Sequence, residues 1–116
     1  MTALHQRLKA ALPIAMKARD QAAVAALRSA LAAIENAAAV PDGADESKGV
    51  GLPAAGLGVT EVARRTQDDA EIDRIVRAEV TDRLTAAADY DRLGRGERSE
   101  RLRAEAAALV TQLHDA

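Results

Sequence analysis

The spacing of apolar residues over the last part of the chain constrains the fold most. From about Thr66, the residues Ile72, Ile75, Val76, Val80, Leu84, Ala87 and Tyr90 recur at three- and four-residue intervals. That is the period of one buried helix face and excludes the two-residue alternation of a strand. Leu93-Gly94-Arg95-Gly96 interrupts the pattern, and Leu102, Ala106, Leu109 and Leu113 resume it at four, three and four residues. Two helices joined by a short glycine turn are the expected product.

The first part of the chain carries the same period. Thr2 is placed to cap a helix over about 3–19, in which Leu4, Leu8, Leu12 and Met16 form a stripe. Pro13 removes one hydrogen bond and crowds the preceding turn, so a kink is expected there rather than a stop. Asp20 is the expected cap of a second helix over 20–38, with Val24, Leu27, Leu31 and Ile34 as its packed seam. The last two helices are expected over 67–92 and 98–113, with Thr66 capping the third and the acidic residues Asp68, Asp69 and Glu71 favouring its N-terminal dipole. The reading is therefore a single all-α domain over 1–116, bundle-like, with four helices. A long Gly/Pro-rich loop, flexible over 40–58, separates helices 2 and 3; residues 40–65 hold five of the seven glycines and two of the three prolines.

Composition limits the core. The chain has 29 alanines against 27 residues of Leu, Ile, Val, Met and Tyr, with no Phe or Trp. Alanine favours helix but buries little surface, so close packing through alanine faces, modest stability and a partner helix are expected. The formal net charge of −2 gives no global signal for nucleic acid. Arginine outnumbers lysine 13 to 3, which suits phosphate recognition but equally follows from compositional bias. The absence of cysteine excludes disulfides and thiolate metal sites. No apolar run is long enough to span a membrane and no signal peptide is evident, so a cytoplasmic location is the default.

Motifs for catalysis are lacking. His5 and His114 lie near opposite ends of the sequence, and a shared metal site requires the termini to meet. Glu79, between Val76 and Val80, is expected to snorkel or to pair with Arg83 one turn on. The glycines over 49–58 follow no strand and miss the spacing of a nucleotide-binding loop. No catalytic residue, cofactor site or metal site is assigned. Arginines remain: Arg64 and Arg65 before the third helix, and Arg92, Arg95, Arg98, Arg101 and Arg103 around the second turn. Asp89, Asp91, Glu97, Glu100 and Glu105 are interleaved with the second group. That mixture favours a solvated face with local ion pairs over a phosphate site.

Several segments together resemble the GatB/YqeY-domain family. The opening Leu4-His5-Gln6-Arg7-Leu8-Lys9-Ala10-Ala11-Leu12, followed by Ala15-Met16-Lys17-Ala18-Arg19-Asp20, looks like the start of those proteins. Leu27-Arg28 and Ile34-Glu35-Asn36 match their second helix. Glu79-Val80, Arg83, Tyr90 and Gly94-Arg95 match their third. The resemblance implies a four-helix N-terminal bundle, normally followed by a smaller helical bundle that helps to hold tRNA in the glutamine-dependent amidotransferase. After Leu113 this sequence departs from the pattern, and the smaller bundle is expected to be missing. The implied role is an accessory module for tRNA or for a tRNA-dependent amidotransferase, a carbon–nitrogen ligase with glutamine as donor, and not a catalyst by itself. Arg64, Arg65, Arg83, Arg92 and Arg95 are the candidate tRNA phosphate contacts. The alternative is a helical module for protein interaction or self-association as a homo-oligomer, with no tRNA role. No membrane partner is expected.

Overall fold

A computed structural model describes residues 2–39 and 67–114. The described residues form four helices and no strand: α1 (Ala3–Ala18), α2 (Gln21–Ala38), α3 (Asp69–Arg92) and α4 (Gly96–His114). The expected loop over 40–58 lies outside them, as do Arg64, Arg65 and Thr66.

The helix ends follow from local chemistry. Thr2 accepts from the His5 amide and caps α1. Pro13 is accommodated, and α1 runs through it without a stop. Arg19 closes α1 in the left-handed conformation at φ 59°, its amide donating to Met16 and Ala15 carbonyls. Asp20 caps α2 by accepting from the Ala23 amide at 3.1 Å. The cap of α3 is Asp68, not the expected Thr66: Asp68 accepts from the Glu71 amide at 2.8 Å, and the Glu71 carboxylate accepts from the Asp68 amide at 3.2 Å. This reciprocal box satisfies two donors at once. Gly94 takes φ +73° in the turn after α3, a conformation that suits glycine. Gly96 opens α4, two residues ahead of the expected start, instead of ending α3.

α3 and α4 form an extensively packed hairpin; α2 lies across it, and α1 leans mainly on α2. One core unites them. Leu8 and Ala15 of α1 meet Ala23, Ala26, Leu27, Ala30 and Ile34 of α2, Ile72 and Val76 of α3, and Leu109 of α4. Seven of the thirteen buried apolar residues are alanine, so α2 approaches its neighbours closely with little side-chain bulk between them. Two expected core positions are exposed. Met16 is 48% exposed, and Ala15 takes its place inside; Leu84 is 46% exposed on the outer side of α3. A strict four-residue repeat drifts around the helix because the true period is 3.6, which rotates Met16 out of the stripe. Leu84 lies on the α3 face that no other helix covers.

Candidate functional site

The charged residues of α3 and α4 sort into two groups by depth. Deep in the hairpin, Arg83 lies between two carboxylates. Its Nη1 donates to Glu79 Oε1 at 2.9 Å and its Nε donates to Glu105 Oε1 at 2.9 Å. The Ser29 hydroxyl of α2 donates to the same Glu79 oxygen at 2.6 Å. Arg101 Nε donates to Glu105 Oε2 at 3.1 Å, and Arg101 Nη2 reaches the Gln21 carbonyl at 3.4 Å. Side-chain exposures of 14%, 18% and 13% for Arg83, Glu79 and Glu105 place this chain of contacts largely out of water. It ties α2, α3 and α4 together. The pairing of Glu79 with Arg83 follows from their one-turn spacing; the contributions of Glu105 and Ser29 depend on the packing of separate helices.

The second group crowds the far end of the hairpin. Arg92 is 70% exposed and paired with Asp89, while Arg103 Nη2 donates to Asp91 Oδ2 at 2.5 Å. That hydrogen bond holds the Asp91 carboxyl below its ordinary value, with Ser99 assisting, and raises Arg103 in return. The Arg98 guanidinium stands 5.4 Å from the centre of the Tyr90 ring, a cation–π arrangement. Arg95 is exposed at the turn, and its side chain has no carboxylate partner among the described residues. Beside it lies an open groove of about 580 Å³ lined by Ala86, Tyr90, Glu97, Arg98, Arg101, Leu102 and Glu105.

The candidate phosphate contacts are thus dispersed. Arg92 and Arg95 share the exposed end of the hairpin, Arg83 is held inside it, and Arg64 and Arg65 lie outside the described residues. The chain ends do meet: Arg7 donates through Nε and Nη2 to the Gln112 carbonyl, at 3.2 and 2.8 Å. Even so, no three metal-binding side chains converge among the described residues. His5 is partly buried with Nε2 unpartnered, and burial lowers its pKa, with Lys9 adding to the effect. No described helix is long and apolar enough to cross a membrane.

One charged surface escaped the motif search. α1 contains Arg7, Lys9 and Lys17 and no acid, and Arg19 follows it; the first acidic residue of the chain is Asp20. The signal was present as a charge asymmetry along the sequence. Comparison of the chain with protein-family models, with curated proteins and with solved structures finds no match in any of the three.

Proposed function

We propose that this chain is a non-catalytic accessory module that serves tRNA or a tRNA-dependent amidotransferase of the kind found with GatB/YqeY domains. The family part of the reading rests on the sequence resemblance alone. The observation that carries the binding part is the end of the α3–α4 hairpin, where Arg92, Arg95 and Arg98 stand exposed within about two turns. Arg92 is paired only with an exposed neighbour, Asp89, one turn away on the same helix. Such a pair contributes little, so exchanging the carboxylate for a phosphate costs little. Arg95 has no carboxylate to leave among the described residues. Arg83 acts in this scheme as the brace behind the surface, holding α3 against α4.

Titration of the protein with bulk tRNA at low and high salt, with duplex DNA as control, tests the reading. Binding should prefer tRNA and weaken with salt, and removing Arg92 and Arg95 together should lower the salt slope by about two, one per phosphate contact. Binding that ignores both arginines removes this surface from consideration. No binding to tRNA at any salt removes the tRNA role.

A further inference from the structure

The outer side of α1 is basic and carries no acid. Lys9 and Lys17 are exposed on it, Arg19 follows at its end, and Arg28 of α2 stands beside Met16, with its Nη2 4.0 Å from the Met16 sulfur. None of these four cations has a carboxylate within ion-pair reach among the described residues. The nearest acid in sequence, Asp20, accepts from the Ala23 amide. Two large apolar side chains lie among the cations: Ile14 is 70% exposed and Met16 48%. Ile14 and Lys17 are neighbours at a spacing of three residues, and Met16 falls on the other flank of Lys17. Arg19 closes the helix in the left-handed conformation at φ 59°.

We propose that this face of α1 docks an acidic amphipathic helix of a protein partner. Charge complementarity selects the class: four cations without a carboxylate among the described residues call for carboxylates, and Ile14 and Met16, on the two flanks of Lys17, call for apolar side chains beside those carboxylates. Methionine adapts its shape to such a contact. A nucleic-acid backbone satisfies the cations but leaves Ile14 and Met16 in water. A membrane surface is a poorer fit, because the inner stripe of α1 is already committed to the core through Leu8 and Ala15, and Lys17 stands at the centre of the remaining face. The site shares no residue with the arginines at the hairpin end, so the two readings stand or fall separately.

The test is an NMR titration of the isotope-labelled chain with a synthetic helical peptide carrying glutamate along the middle of one face and leucine on its flanks. Bulk tRNA and vesicles of phosphatidylserine and phosphatidylcholine are run in parallel. Peptide-induced shifts should concentrate on residues 9–19 and Arg28. The double substitution Lys17→Glu and Arg28→Glu should weaken the peptide about tenfold or more, since two attractive charges become repulsive. Ile14→Ser should weaken it without changing the salt dependence, Lys17→Arg should restore wild-type affinity, and Arg95→Glu should leave peptide binding as it was. All these positions are exposed, so helicity measured by circular dichroism should be unchanged. The proposal is overturned if the peptide does not bind or shifts another surface. It is equally overturned if binding survives the double charge reversal, or if tRNA or the vesicles, rather than the peptide, perturb the α1 face.

Discussion

The outer face of α1 and the α3–α4 hairpin use their cations differently. In the hairpin six of eight arginines are engaged: Arg77, Arg83, Arg92, Arg101 and Arg103 each meet a carboxylate and Arg98 an aromatic ring, while Arg74 and Arg95 meet neither among the described residues. On the outer face of α1, Lys9, Lys17 and Arg19 all lack a carboxylate among the described residues. The difference teaches where charge is structural. In the hairpin the side chains between α3 and α4 are short, with Ala87 and Ala106 buried there, and the Ser29–Glu79–Arg83–Glu105 contacts supply directional bonds that alanines lack. α1 packs through Leu8, Leu4 and Leu12, and Arg7 ties it to α4 through the Gln112 carbonyl, while the cations of its outer face make no such contact among the described residues.

Breaking the deep contacts is the strongest way to challenge this contrast. Arg83→Ala leaves Glu79 with only the Ser29 hydroxyl and Glu105 with only the half-exposed Arg101, both carboxylates being mostly out of water, and should cost roughly 2 kcal/mol in urea denaturation after allowance for their residual exposure. Lys17→Ala, on the α1 face, should stay within about 0.5 kcal/mol of wild type. Equal losses would erase the distinction. Replacing Arg83, Glu79 and Glu105 together with apolar residues sharpens it further: stability should largely return, and a loss of NMR dispersion in that variant would show that the polar contacts also select one packing.

A smaller effect, of opposite sign, is expected at the end of α1. Arg19→Gly relieves a left-handed residue and should raise stability by about 0.5–1 kcal/mol, read as a higher midpoint in thermal or urea melts. A loss of stability there would mean that the Arg19 side chain contributes to the fold, contrary to the contrast drawn above.

The smallest effect concerns His5, where α1 meets α2. Burial lowers its pKa from the ordinary 6.5, so the folded chain resists the proton that the unfolded chain accepts. Stability from this group is present above 6.5 and is lost as the pH falls below it. His5→Gln should flatten the pH dependence of the melting midpoint over that window, and an unchanged slope would assign it to other groups.

Much of the fold was legible because helix formation is local. The period of apolar residues, the caps Thr2 and Asp20, and the glycine turn at Gly94 act within a few residues, and each helix lies within two residues of its expected bounds. The errors share one cause. Thr66 and Asp68 are both acceptable caps, and Glu71 at the third position of α3 selects Asp68 through the reciprocal bond. Met16 and Leu84 fit a stripe written at a fixed spacing, but their burial depends on which neighbour faces them.

By itself, the sequence determined the helical class, the four helices of the described residues and the acid-free character of α1, because propensity, period and charge are properties of the chain. Only the tertiary structure decided which charges are structural. Glu105 and Ser29 lie 22 and 50 residues from their partners Arg83 and Glu79. Their contact arises from helices brought together by burial of Leu8, Ile34, Val76 and Leu109. The same burial leaves Lys9, Lys17 and Arg28 on the outside without a carboxylate among the described residues, since hydrophobic packing fixes the orientation of α1 and so decides which side chains remain in water.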